Sequence, residues 1–436
     1  MSDSVVRVGV LGCGNVGAAL VQLIGERGDE IAARTGIRLE VARVAVRSLS
    51  RKRPIHLSEQ ILTRDAAEVV TEPSVDVVVE VIGGIEPARE LILQALAAGK
   101  PVVTANKELL ANHGAELFKA ASVGQVDLLF EAAVAGGIPI MRPLRESLVG
   151  EDVRRIMGIV NGTTNFILTR MSEEGTSYAA ALAEAQKLGY AERDPTADVE
   201  GHDAGAKAAI LASIAFGAKV VAGDVYHEGI ANITATDIAF AKRLGYVIKL
   251  LAVAELVAGE VGHDEVAVRV HPAMVPVAHP LAGVRDSFNA VFVEGAAVGD
   301  LMFYGRGAGG SPTASAVLGD LVDAAVNLRK GTHAHLPALT RRPIRPIDEL
   351  HSSYYVNLDV VDRPGVLRAV AEAFESHGVS IRSLEQEGVG ESARLIFITH
   401  QAREADVQGT LDDLRELDVI HEITSVLRVV GDDGTA

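Results

Sequence analysis

VVRVGVLGCGNVGAALVQLIGERG (Val5–Gly28) is the stretch on which the reading of the fold turns. A run of β-branched residues stops at Gly12, glycines recur at Gly14 and Gly17, and the Ala/Leu spacing of a helix begins at once. The pattern G-x-G-x-x-G therefore stands after a strand and before a helix, the context that gives this fingerprint its meaning. The first glycine allows the tight turn, the second lets the main chain approach a pyrophosphate, and the third lets helix and strand pack closely. The free amides and dipole of the following helix then favour an anion. The expectation is a dinucleotide site built on Gly12, Gly14, Asn15, Val16 and Gly17. An ordinary glycine-rich turn is the plainer alternative, and Cys13 inside the loop reads as a small buried residue.

Outward from this loop, short β-branched runs alternate with helical stretches: LEVARVAV, VDVVVEVIGG, KPVVTAN and QVDLLFEAAV follow in turn to about Pro139. That alternation predicts parallel βαβ units, hence an α/β chain with a Rossmann-type sheet over residues 1–139. In such folds the second strand ends in Asp or Glu when ribose hydroxyls are bound, and in Arg when a 2′-phosphate must be neutralised. Here it ends at Arg47, with Arg51, Lys52 and Arg53 close behind. A short basic run is as well explained by a solvated face, and Arg47 tips the reading toward NADP. Residues 140–335 mix helices with strands such as RRIMGIV and AVAVRVHP, an α+β catalytic and dimerisation domain whose last part returns to the cofactor domain. LPALTRRPIRPIDEL (Leu336–Leu350) is too rich in proline for helix or central strand, so residues 336–351 read as a linker. Residues 352–430 then run strand, helix, strand, strand, helix, strand.

The bulk properties narrow the function. At 436 residues and 48% hydrophobic the chain is globular, with two or three cores. A net charge of −17 opposes binding to nucleic acid, which needs a basic stripe. One cysteine can make neither an intramolecular disulfide nor a cysteine zinc cluster. The N-terminus has no signal-peptide pattern, and AAILASIAFGAKVVAG from Ala208 is broken by Lys219 and better read as a buried helix than a membrane span. A cytoplasmic protein is expected.

AQKLGYAERDPTADVEGHDAGAKAAILASIAFG (Ala185–Gly217) carries the chemistry. Asp203 and Lys207 stand four apart on one helical face, and the residues after Lys207 leave no polar face for water. A surface ion pair is the bland reading; a charge on a helix apolar all round is paired or functional. His202, His271 and His279 have no ligand spacing and read as structural.

Ala185, Gly189, Asp194, Pro195, Asp198, Gly201, Asp203 and Lys207 fall at the spacing A-x3-G…D-P-x2-D-[VL]-x-G-x-D-x3-K, and by these the chain resembles homoserine dehydrogenases. The likeness extends to VTANK (Val103–Lys107), EAAVAGGIP (Glu131–Pro139), NGTTN (Asn161–Asn165) and GRGAGGSPTASAV (Gly305–Val317). The resemblance implies reversible hydride transfer between NADPH, with NAD also accepted, and aspartate 4-semialdehyde, giving homoserine on the way to threonine and methionine. It implies that Lys207 donates the proton, Asp203 and Asp198 hold substrate, Glu192 receives its ammonium group, and Lys107 lies between cofactor and substrate. Gly189 and Gly307 would touch the cofactor. Backbone carbonyls of Glu131, Val134, Gly136 and Ile138 would hold a monovalent cation such as Na⁺; a Gly-Gly turn alone explains the loop equally well. The family's usual state would make the chain a homodimer or homotetramer.

Aspartate-semialdehyde dehydrogenases share the cofactor and substrate class but need a nucleophilic cysteine, whereas Cys13 sits in the phosphate loop. A fused aspartate kinase is not expected either, since no domain-sized segment precedes Val5. The C-terminal segment resembles an ACT domain, with D-R-P-G-V-L (Asp362–Leu367) entering its first helix. An amino-acid effector, threonine first among candidates, would meet Asp362, Gly365, Val366 and Leu367. Pure dimerisation is the alternative role. Tethered by the linker, the module would act only by favouring one arrangement of subunits, and its deletion would spare catalysis.

Overall fold

Strand and helix boundaries follow the sequence periodicity closely in the computed structural model, which describes residues 4–50, 53–55, 57–259, 263–389 and 392–431. The first part runs β1 (Ser4–Leu11), α1 (Asn15–Thr35), β2 (Ile37–Ala45), β3 (Leu62–Thr63), α2 (Ala66–Thr71), β4 (Val77–Glu80), α3 (Ala88–Ala97), β5 (Val102–Thr104), α4 (Lys107–Gly124) and β6 (Leu128–Leu129). There follow β7 (Val153–Ile159), α5 (Gly162–Glu174), α6 (Tyr178–Leu188), α7 (Thr196–Val199), α8 (His202–Phe216), β8 (Tyr226–His227), α9 (Ala235–Arg243), β9 (Tyr246–Ala258) and β10 (Asp264–Pro276). The last part is β11 (Phe288–Gly295), β12 (Gly299–Arg306), α10 (Gly310–Lys330), β13 (His351–Val361), α11 (Val366–Ser376), β14 (Ile381–Val389), β15 (Ser392–Thr399), β16 (Ala402–Arg403), α12 (Glu404–Arg415) and β17 (Ile420–Val429).

Contacts group these elements into two units that interleave along the chain. One holds the residues up to Val160, Ala206–Val225 and Phe288–Arg342; the other holds Asn161–Gly205, Tyr226–Ser287 and the residues from Pro343 on. The chain passes between the two units after Val160, inside α8, after Val225, after Ser287 and after Arg342.

In the first unit β1 to β6 form a parallel sheet in the order β3-β2-β1-β4-β5-β6. Its central strands are valine-rich and buried on both faces, as a sheet covered by helices requires. One cover is α1; another is α10, whose Ala314, Val317, Leu321, Ala324 and Ala325 close the same core from far along the sequence. In the same unit β11 pairs antiparallel with both β7 and β12.

In the second unit β13, β14, β15 and β17 make an antiparallel sheet covered by α11 and α12, the βαββαβ order read from the sequence. Strand alternation divides β13 cleanly: Tyr354, Val356 and Leu358 enter the core under the two helices, while Tyr355 and Asn357 point the other way, to Asp237 of α9. Asp237 is fully buried and also accepts from Ser425 of β17 and from Thr234. Strand β17 further pairs in parallel with β10, Ala273 opposite Arg428 and Met274 opposite Val429. These contacts correct the expectation of a module tethered only by a linker. The proline-rich stretch is itself pinned, through bridges of Thr340 to Ala218 and of Ile344 to Val266. The C-terminal module is part of a larger folded unit.

Candidate active site

The dinucleotide loop has the geometry its glycines predict. Gly12 adopts φ +102° with its α-carbon close to the Val81 carbonyl, where a side chain would come within 2.8 Å of that oxygen. A Cβ on Gly17 would stand 2.1 Å from the Gly12 carbonyl, so helix and loop can meet only with glycine there. Gly14 is exposed with open space over it, and no side chain caps α1, whose first amides face that space. Asn15 and Val16 form the first turn of α1. These features fit a pyrophosphate seated on the helix N-terminus. Arg47 is exposed two residues beyond the end of β2, and Lys52 lies outside the described residues. Burial pushes the Cys13 thiol up, which suits the filler role expected for it.

Helix α10 reaches this loop through Gly310, and other loops of the same unit meet one another. A Cβ on Gly310 would stand 3.2 Å from the Asn15 carbonyl, and one on Gly136 would stand 2.2 Å from the Gly307 carbonyl. Gly307 in turn is buried against the Asn289 carboxamide. Half-buried Lys107 opens α4 directly after β5, behind the Asn106 cap. In the EAAVAGGIP loop the Glu131 carboxylate is occupied by backbone N–H groups of Ile140, Met141 and Arg142, and its own N–H donates to Asp320 at 2.7 Å. Burial raises both carboxyls, Asp320 to about 8. Among the described residues no cluster of His, Cys, Asp and Glu could hold a metal. Carbonyl oxygens are thus what Glu131, Val134, Gly136 and Ile138 have to offer a cation, and Ala135 and Gly136, at φ 55° and 56°, turn the loop on itself.

The signature segment gathers a second group of functional residues. Asn161 caps α5, its Oδ1 accepting from Thr164 N at 2.9 Å. That bond fixes the carboxamide the right way round to present Nδ2 to two carboxylates, Asp198 at 2.7 Å and Asp203 at 2.9 Å. One residue earlier in the chain, the Val160 carbonyl accepts from Lys207 Nζ at 2.7 Å. Lys207 lies one turn beyond Asp203 on α8, and both are half-buried. Beyond Lys207 the helix is buried, as its composition predicts. Glu192 sits in the exposed segment between α6 and α7; the Tyr190 carbonyl before it accepts from Thr163. Gly189 ends α6 at φ 78°. The sequence reading missed Asn161, although an Asn heading a helix straight after a strand is a cap signal that could have drawn attention to it.

At the far end of the second unit, Asp362, Gly365, Val366 and Leu367 line a cleft of about 420 Å³ together with Gln386 and Leu395. Gly365, at φ 94°, is the N-cap of α11, and no side chain caps that helix.

A dinucleotide fold joined to a segment of paired carboxylates and one lysine, with a βαββαβ module beyond, defines the class as a nicotinamide-dependent oxidoreductase. Family profiles described as the homoserine dehydrogenase NAD binding domain, homoserine dehydrogenase and the ACT domain match residues 12–131, 139–322 and 354–419. The chain is 52% identical to a homoserine dehydrogenase of Corynebacterium glutamicum, with 98% of this chain and 96% of the relative covered. A solved homoserine dehydrogenase from Thiobacillus denitrificans superposes with a TM-score of 0.90 at 40% identity, covering 98% of each chain. A hyperthermophilic archaeal homoserine dehydrogenase in complex with NADPH gives 0.63 at 29% identity, covering 76% of this chain and 100% of that one. The chain belongs to the homoserine dehydrogenase family. It is an oxidoreductase acting on CH–OH, with an NAD(P)-binding domain and an ACT domain.

Proposed function

We propose that the enzyme interconverts L-aspartate 4-semialdehyde and L-homoserine with NADP, in the cytoplasm and as a homodimer or homotetramer, and that threonine restrains it through the ACT domain. The observation that carries the site assignment is the Asn161 carboxamide donating to both Asp198 and Asp203 on the same segment that bears Lys207. When bound, the nicotinamide supplies or takes the hydride. Glu192 receives the substrate's ammonium group, and Asp198 and Asp203, held in place by Asn161, orient the rest of it. Lys207 donates one N–H to the Val160 carbonyl, which holds its ammonium group beside the paired carboxylates. It donates a proton as the aldehyde is reduced and takes it back in the reverse direction. Lys107, which opens α4 directly after β5 where α/β folds bind ligands, lies between cofactor and substrate, and Gly189 and Gly307 touch the cofactor. Arg47 and Lys52 meet the 2′-phosphate, and the archaeal relative's NADPH complex supports that cofactor. The carbonyls of Glu131, Val134, Gly136 and Ile138 hold Na⁺ or a similar ion, and Asp362, Gly365, Val366 and Leu367 hold the effector. No described helix is long and apolar enough to cross a membrane.

Absorbance at the nicotinamide band with homoserine and NADP or NAD tests the reading directly. Turnover is expected with NADP, and Lys207→Ala is expected to lower kcat by about 10²–10⁴-fold with NADP binding intact. A variant that keeps a tenth of the activity, roughly, has another proton donor.

A further inference from the structure

The strap His227–Ile230 runs along the turn that carries Asp198 and Asp203 at a distance only glycines permit. A Cβ on Gly205, between Asp203 and Lys207, would stand 2.2 Å from His227 Nε2. One on Gly229 would stand 2.4 Å from the Val199 carbonyl, which also accepts from Ile230 N at 2.9 Å. One on Gly201 would stand 3.4 Å from the Glu228 carbonyl and 3.0 Å from Val270. The His227 ring packs on His202 as well, centroids 5.0 Å apart. At Gly205 and Gly229 real Cβ atoms could not come this close, so strap and turn pack directly on one another and constrain each other's position.

The strap is fixed from the C-terminal module. Glu228 N–H donates to the Val270 carbonyl of β10, and its carboxylate accepts from Tyr226 Oη at 2.6 Å and from Arg428 Nη1 at 2.6 Å. Arg428, on β17, is 5% exposed and also donates twice to Glu404 of α12. Glu404 is 2% exposed and accepts from Tyr354 of β13. A buried guanidinium shared by two carboxylates is costly to disturb, which makes it a stiff anchor. Burial, with His202 adding to it, pushes the His227 ring down, so it packs on the helix uncharged at neutral pH.

We infer that Glu228 and His227 are positioning residues for the Asp198–Asp203 turn, and that Arg428 ties that turn to the ACT domain. This rests on Asp198 and Asp203 facing the substrate, as proposed above. Displacing oriented groups by about 1 Å can cost up to about 10²-fold, so His227→Ala and Glu228→Gln should each raise KM for homoserine about tenfold or more. NADP affinity should stay unchanged, and backbone amides over 199–205 should exchange faster. Unchanged KM and unchanged exchange in both variants overturn the inference; so does a lowered Tm with KM and exchange as in the parent. If Glu228→Gln does not fold, His227→Ala decides alone. Asp203→Asn separates the two readings: if it leaves KM unaltered the substrate assignment fails, and exchange over 199–205 still decides whether the strap holds the turn.

Discussion

Arg47 is exposed two residues beyond the end of β2, and at residue level it is Arg47 that points to NADP. Arg47→Asp should therefore weaken NADP by about 1.5–3 kcal/mol, the size of a charge-assisted contact, while NAD binding changes little. Titration of both cofactors by nicotinamide fluorescence checks this, and equal losses would move the 2′-phosphate elsewhere. Lys249 illustrates a different residue-level effect. It is 2% exposed, its Nζ donating to Asn165 Oδ1 at 3.1 Å and to the Val284 carbonyl, and burial pushes its pKa down to about 8. In the unfolded chain it titrates near about 10.4. Between these values the unfolded state binds the proton and the folded state does not, so this group adds stability as pH rises from about 8 to about 10, by at most about 1.4 kcal/mol per pH unit. Urea melts across that window should show the rise in the parent and not in Lys249→Met. Neither lysine nor the double role of Asn161 could be read from the sequence, because each depends on partners from distant segments: Val284 for one, Asp198 and Asp203 for the other.

Elements were legible wherever one periodicity governed them. The parallel strands announce themselves as valine runs because both faces are buried, and the G-x-G-x-x-G turn is confirmed by two contacts that leave no room for a side chain. The docking of β13 and β17 on α9 was not legible. Tyr355, Asn357 and Ser425 look like the polar outer face of an antiparallel sheet, and only the structure shows that this face meets a buried carboxylate. The same holds for Gly201, Gly205 and Gly229, which in sequence are glycines like any others. Asp237 joins helix to sheet: it caps its own helix with Thr234 and collects three donors from the module. Asp237→Ala leaves these donors buried without an acceptor at about 1–3 kcal/mol each. A fall in unfolding free energy of that order is expected from urea melts, and an unchanged unfolding free energy would mean that water takes over the acceptor role.

For the whole molecule, the integration of the ACT domain reverses what a tethered module would predict about truncation. A chain ending at Pro346 loses β17 from the edge of β10, the partners of Asp237 and the anchor of Glu228 together. It should be less stable and bind homoserine more weakly, with no amino-acid effector present. A truncated enzyme with the parent's Tm and KM would show instead that the module folds apart from the rest. The parallel pairing of β10 with β17 has one more consequence, and it concerns time. About 150 residues separate Ala273 from its partner Arg428. At roughly 5–20 residues per second, a ribosome needs on the order of ten seconds or more to make them. During that interval the nascent chain carries an apolar strand edge whose mate has not yet been synthesised, the kind of surface that chaperones shield and that neighbouring nascent chains can pair with.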